Sequence, residues 1–295
     1  MDYYFLKIKS KNIASISGIN DVPLVRDALG EGVTTLCPIN EWILPTGNIV
    51  SFDISTSMLH TGGSPATTLG ENDSPDTQNS LHPDNEPEFN ATVFLADPDK
   101  NIPEPIEIIF DYSWPGDAED NTLPLSIKAP IDIYCGRPPL PVTLWKDAEQ
   151  LTEITPSDKF SLVQLISQLQ DILVASDGEG AFSMLAYRYA DLARAMGHPP
   201  ERIHDAVLEQ YSQMFGINDK TALSINQTIS KFELVAGSRV VYISRNARKI
   251  TRDEFNDPDK ELYPQSAIIF DTPNGFLGIE IYAAKIKGSW MIVRT

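Results

Sequence analysis

Three features of this 295-residue sequence predict an α+β fold, β-rich in its first half and built from helices and then strands in its second. Up to about residue 145 the apolar residues come in short β-branched and aromatic runs separated by turn residues. From Thr155 to Gly216 they recur at helical spacing, and beyond Gly216 only strand-like runs remain. Helices followed by an antiparallel meander cover one face of a sheet, which is the α+β arrangement. Residues 1–145 therefore read as a β-rich domain and 150–295 as an α+β domain. GRPPLPVTLWKD (136–147) connects them, because consecutive prolines suit neither a sheet ladder nor a helix interior.

The chain opens with a strand, YYFLKIK (3–9), in which Phe5, Lys7 and Lys9 alternate with Leu6 and Ile8. A short helix is expected next, capped by Asp21, with Pro23 in its first turn and Gly30 at its end. IVSFDI (49–54) is a second strand by composition. The stretch from about 55 to 88 is rich in Ser, Thr, Asn, Asp, Gly and Pro and nearly without large apolar residues. It cannot bury enough apolar area to offset its ordering entropy and reads as a mobile loop. Three β-rich runs follow, FNATVFLA (89–96), PIEIIFDYSW (105–114) and LPLSIKAPIDIYC (123–135), separated by Asp-Pro and Pro-Gly turn chemistry.

In the second half, Thr155, Pro156 and Asp158 have the spacing of a helix start with proline first and an acid at the third position. Leu162, Leu165, Ile166, Leu169, Ile172 and Leu173 then share one helical face. Ser176 and Glu179 repeat the capping spacing before a helix that runs to Gly197, and Pro199 and Pro200 start a third that ends at Gly216. The strand signals after them are ISKFELV (229–235), SRVVYISR (238–245), SAIIFD (266–271), GFLGIEIYAAKI (275–286) and SWMIVR (289–294). Thr272-Pro-Asn-Gly275 and Lys287-Gly288 supply hairpin turns. The last strand is expected to pair with 275–286 and to pack Trp290 against the helices that begin at Thr155.

The net charge is −18, and residues 61–150 carry most of it, with 17 acids against four bases. Such a field repels nucleic acid and anionic membrane and speeds encounter with basic partners. The apolar runs are too interrupted to span a bilayer, and MDYYFLKIKSK is no secretory signal, which predicts a cytoplasmic protein. Cys37 and Cys135 are far apart and without neighbouring histidines, so two reduced, buried thiols are expected rather than a metal or redox motif.

Chemical motifs are incomplete throughout. DPDK occurs at 97–100 and 257–260, but Ile102 and Ile108 stand where a calcium loop needs Gly and Glu, and both copies read as Asp-Pro turns. AGSRV (236–240) lacks the second glycine of a nucleophile elbow, and DGEG (177–180) and TGG (61–63) match no phosphate loop. No metal site and no cofactor are expected. SRNARKITR (244–252), with Arg245, Arg248, Lys249 and Arg252, reads as a solvated basic face.

The terminal Gly288, Ser289, Trp290, Met291 and Ile292, coming after helices and a meander, resembles the ending of the SnoaL-like, nuclear-transport-factor-like superfamily. The resemblance covers residues 155–295 and implies a cone-like domain of three helices and an antiparallel sheet. It also implies a pocket that Tyr187, Tyr242, Phe270, Tyr282 and Trp290 could line. The superfamily holds isomerases, cyclases, dehydratases and non-catalytic immunity domains, so the fold does not choose the function. Enzymatic members place an Asp or a His-Asp pair inside the cone. His198 and His204 stand beside prolines at the start of the third helix and suggest no such dyad.

The expected function is accordingly a non-enzymatic, acidic cytoplasmic binding protein, an immunity or inhibitor protein that neutralises a basic toxin, nucleases included. Glu86, Glu88, Asp97, Asp111, Asp117, Glu119 and Asp120 are its candidate contacts. The competing expectations are a small-molecule carrier or isomerase-type enzyme using the cone, and a structural component of a secretion or phage assembly.

Overall fold

The computed structural model describes residues 2–27, 30–55, 86–97, 100, 102–116, 122–137, 139–216, 220–225, 229–245, 266–273 and 275–295. The chain forms two compact units, Met1–Leu140 and Pro141–Thr295, and the mixed α+β class holds, with the first unit β-rich.

Among the described residues the first unit has eight strands: β1 Tyr3–Lys11, β2 Ala14–Ile19, β3 Val22–Asp27, β4 Thr34–Pro38, β5 Asn48–Ser55, β6 Glu88–Ala96, β7 Pro105–Trp114 and β8 Leu125–Ile131. They make two antiparallel sheets, ordered β4-β1-β6-β7 and β3-β2-β5-β8. Period-two alternation turns Tyr4, Leu6 and Ile8 of β1 and Val50, Phe52 and Ile54 of β5 inward. Phe52 bridges the sheets, with ring centroids 5.3 Å from Phe89 and 4.9 Å from Tyr112, so the unit is a sandwich with an aromatic centre.

The helix expected around Asp21–Gly30 does not form; residues 14–27 are the β2–β3 hairpin. Asn20 and Asp21 have φ of 53° and 63°, so Asp21 is a turn residue rather than a helix cap. A two-residue turn with both φ positive matches the twist of the strands it joins. Asn20 fixes the turn by donating to the Trp42 carbonyl (2.7 Å) and Asn48 Oδ1 (2.9 Å) and accepting from the Ile49 amide (2.9 Å). Pro23 is tolerated because β3 is a sheet edge. Gly18 is required, since a Cβ there would overlap the Val22 carbonyl oxygen.

The second unit contains α1 Leu144–Asp147, α2 Pro156–Val174, α3 Gly178–Met184, α4 Ala186–Met196 and α5 Pro200–Phe215. Its strands are β9 Thr221–Ala222, β10 Ile229–Val235, β11 Val240–Arg245, β12 Ile268–Thr272, β13 Gly275–Ile279, β14 Ile281–Ile286 and β15 Ser289–Arg294. They form the sheets β10-β11-β14-β15 and β13-β12-β9. The α2 start is as expected: Thr155 Oγ1 accepts from the Asp158 amide, and Asp158 accepts from the Thr155 amide.

Three details differ from the sequence reading. The helix ending at Gly197 is two helices, α3 and α4, broken at Leu185. Its cap is Asp177, which accepts from the Gly180 amide (2.9 Å), while Ser176 takes a left-handed φ of 56° that ends α2. Residues 275–286 are likewise two strands that part at Glu280 into different sheets. Leu162, Ile166 and Leu169 of α2 bury one stripe against Val241, Ile243, Phe270 and Ala283, and this is the core of the unit.

Candidate functional site

The acidic residues singled out from the sequence do not form one cluster. Asp117, Glu119 and Asp120 lie outside the described residues, as do the 56–85 part of the expected loop and the second DPDK copy. Glu86 is exposed just before β6. Glu88 opens β6 and pairs with Lys9 at 3.0 Å. Hydrogen bonds from Lys9, first, and Asn90 hold its carboxyl below the usual range. Asp97 follows the last residue of the same strand, about 30 Å from Glu88 at the strand rise of about 3.3 Å per residue. There its amide donates to the Glu104 carbonyl at 2.9 Å. Asp111 lies on β7 and accepts from Thr92 Oγ1 (2.8 Å).

What surrounds Asp111 is an apolar groove that the sequence reading missed. On the outer face of the β4-β1-β6-β7 sheet, the register sets Leu36, Lys7, Thr92 and Asp111 in one row and Pro38, Phe5, Phe94 and Ile108 in the next. Phe5 and Phe94 stack at 5.8 Å. Ile102 and Ile108 line the groove and are 74% and 60% exposed, and Ile106, two residues before Ile108 on β7, is 59% exposed. The groove has a volume of about 470 Å³. Soluble proteins rarely leave several large aliphatic side chains together in water without a use for them.

In the second unit the five aromatics expected to line one pocket have three separate settings. Phe270 is fully buried and packs on Phe215 at 5.7 Å. Trp290 flanks the same core and donates its indole N–H to Asp158 Oδ1 at 3.1 Å, which is the expected packing against the start of α2. Tyr242 and Tyr282 are cross-strand partners stacked at 4.8 Å, on the opposite face of β11 from Val241 and Ile243. Tyr187 donates to Asp147 (3.0 Å), and burial pushes its phenol up to about 12.

Lys285 joins the Trp290 bond to Asp158 at 3.3 Å, so one carboxylate caps α2 and anchors the β14–β15 hairpin. Bonds from Thr155, first, and then Trp290 and Lys285 hold the Asp158 carboxyl at about 2. A depressed carboxyl contributes stability that is complete above its unfolded pKa near 4 and disappears as pH falls toward 2. Asp158→Asn is expected to cost about 1–2 kcal/mol at pH 7. The gap between variant and wild type in urea titrations should close by pH 2; an undiminished gap there would show that the charge contributes nothing.

A buried ion pair lies deeper. Asp191 of α4 is 0% exposed and Arg294 of β15 is 1% exposed, with Arg294 Nη2 2.7 Å from Asp191 Oδ2. Asp191 Oδ1 also accepts from the Thr143 amide (2.7 Å), the Thr143 hydroxyl (3.0 Å) and the Leu144 amide (3.3 Å). One carboxylate thus ties α4, the entry to α1 and the final strand together.

A cavity of about 320 Å³ opens in this unit where α2, α4 and α5 meet the β13–β14 junction. None of the five expected aromatics lines it. Its apolar wall includes Leu169, Leu185 and Phe215, and its polar lining residues are Arg188, Tyr189, Gln210, Tyr211, Glu280 and Thr295. His204 is not part of it; it sits on the surface of α5 beside Asp205 (3.2 Å) and Glu179 of α3 (3.4 Å), which raise its pKa.

Two further expectations change. Arg245 is buried rather than solvated, donates to the Ala267 carbonyl (3.1 Å), and is lowered to about 10 by that burial; Arg248, Lys249 and Arg252 lie outside the described residues. Both thiols are free, but Cys135 is exposed and only Cys37 is half-buried. Among the described residues, no group of three or more His, Cys, Asp or Glu is gathered as a metal ion requires, and no helix is long and apolar enough to cross a membrane.

The fold and these surfaces define a two-unit protein, an antiparallel sandwich followed by an α+β unit with its own cavity. No protein-family model, curated protein or solved structure matches the chain.

Proposed function

We propose that the chain is a non-enzymatic binding protein whose first unit docks a basic protein on the outer face of the β4-β1-β6-β7 sheet. The observation that carries this reading is the exposure of Ile102, Ile106 and Ile108 beside a groove floored by Phe94 and Leu36. Apolar side chains gathered at a groove supply the centre of an interface, and the charge around them selects the partner. Residues 1–140 hold 21 acids against 7 bases, which favours a basic protein and speeds its approach. An immunity or inhibitor role against a basic toxin is the form this reading takes, with carboxylates such as Asp111 standing in for the phosphates a nuclease would bind. The second unit enters the proposal as a SnoaL-like domain, on its order of helices followed by antiparallel strands.

The test compares wild type with Ile106→Asp/Ile108→Asp as bait for proteins of the native host at low salt. Both positions are exposed, so the double variant keeps its fold. A basic protein held by wild type, lost by at least about tenfold in the variant and released by salt is the expected result. Equal retention by both baits, or retention indifferent to salt, would remove the groove from the interface.

A further inference from the structure

We infer that the cavity of the second unit binds a small monocarboxylate with an apolar body, its carboxylate held by Arg188 and its body lying against Leu169, Leu185 and Phe215. This rests on the second unit alone and does not depend on the docking face of the first.

The shape suits a small molecule. At about 320 Å³ the cavity lies at the lower end of the range of about 300–1,000 Å³ typical of small-molecule sites. Leu169, Leu185 and Phe215 are all but fully buried, so the wall facing the ligand is rigid core rather than surface.

The polar groups select the head. Arg188 is fixed in two ways: its Nη2 donates to the Thr295 carbonyl at 3.2 Å, and its guanidinium lies 4.9 Å from the centre of the Tyr189 ring. Its Nε–H is buried and has no acceptor. A buried donor left without a partner costs about 1–3 kcal/mol, which an incoming acceptor would recover. The hydroxyls of Tyr189 and Tyr211 are 2.6 Å apart. One of their two protons is spent within that bond, and the other is available to an oxygen in the cavity. Burial raises the Tyr211 phenol, which keeps it protonated and a donor at neutral pH. One guanidinium N–H and one phenolic O–H are the donors a carboxylate needs.

The number of cations sets the charge limit. Arg188 is the one cationic side chain among the described residues that line the cavity, and the wall beyond it is apolar. A second negative charge on the ligand would be buried there without a partner, which disfavours dicarboxylates and phosphate monoesters.

The probes are octanoate and 3-phenylpropanoate, with octanamide and 3-phenylpropanamide as neutral counterparts and octanedioate as the dianion, titrated into the full chain by calorimetry. Binding of the monocarboxylates at least tenfold tighter than of the amides and of octanedioate is the expected result. Arg188→Gln should abolish the preference for carboxylate over amide while leaving amide binding unchanged. Tyr211→Phe, which keeps the ring packed, should weaken the carboxylates several-fold and serves as the reading if Arg188→Gln does not fold. No heat from either carboxylate at millimolar concentration would overturn the inference. So would an Arg188→Gln variant that binds carboxylates as wild type does or, where that variant does not fold, an unaltered affinity in Tyr211→Phe.

Discussion

Asp191→Ala will destabilise the second unit by about 3–5 kcal/mol, the range found when one partner of a buried ion pair is removed. The substitution takes from Arg294, 1% exposed, the carboxylate that lies 2.7 Å from its Nη2, and takes the acceptor from the Thr143 and Leu144 amides and the Thr143 hydroxyl. The reverse change is milder. In Arg294→Met, Asp191 keeps the donors of residues 143 and 144, so its charge remains solvated by the protein and the loss should be smaller by about 1–2 kcal/mol. Asp191→Leu combined with Arg294→Met removes both charges but still orphans two amides, and should fall between the single variants. Because the chain has two units, a single global unfolding transition is not a safe reporter. Amide exchange in α4 and β15 of the full-length protein measures the relevant unit directly. Protection in Asp191→Ala within about 1 kcal/mol of wild type would show that the pair is dispensable.

This pair also marks where reading the sequence alone stops. Period-two alternation located β1, β-rich composition located β5 and β6, and helical periodicity with the Thr155–Asp158 box located α2, because these features are set by neighbours along the chain. The sequence reads as a helix where β3 forms because Asp21 and Pro23 fit a helix start as well as an edge strand. The choice was made by the buried amide of Asn20 meeting Trp42, Asn48 and Ile49, which are 22 to 29 residues away. In β15 the alternation itself fails. A bulge opposite Tyr282 and Ala283 lets Ile292, Val293 and Arg294 be buried in succession, so no periodic pattern announces that the arginine is inside. The groove on the first unit was illegible for a related reason. Ile106 and Ile108 look like strand core until the register of β7, with its irregularities near Phe94 and Ala96, turns them outward, and Ile102 stands in the turn before that strand. The candidate cavity draws on α2, α4, α5 and the β13–β14 break, and the sequence contains no local sign that these segments meet.

Removing residues 288–295 should leave the second unit unfolded and the chain insoluble, an effect larger than that of any single substitution considered above. The segment holds Ile292 and Val293, each worth about 1.5–3 kcal/mol when fully buried, together with Arg294 of the buried pair and Trp290, which bonds to Asp158. Their combined loss is comparable to the whole stability of a typical domain, about 5–15 kcal/mol. It would also strip the ladder from one side of β14, whose apolar residues Ile281, Ala283 and Ile286 would then flank an open edge, and an open apolar edge recruits other chains. Met291→Ser is the control, because Met291 is exposed on the same strand and its replacement keeps the ladder intact. The soluble fraction after expression and amide exchange in α2 and β11 read both outcomes. A truncated chain that stays soluble with α2 and β11 still protected would mean that β15 decorates the sheet instead of closing it, and that the hydrogen bonds of Asp158 and Asp191 to this strand hold nothing the unit requires.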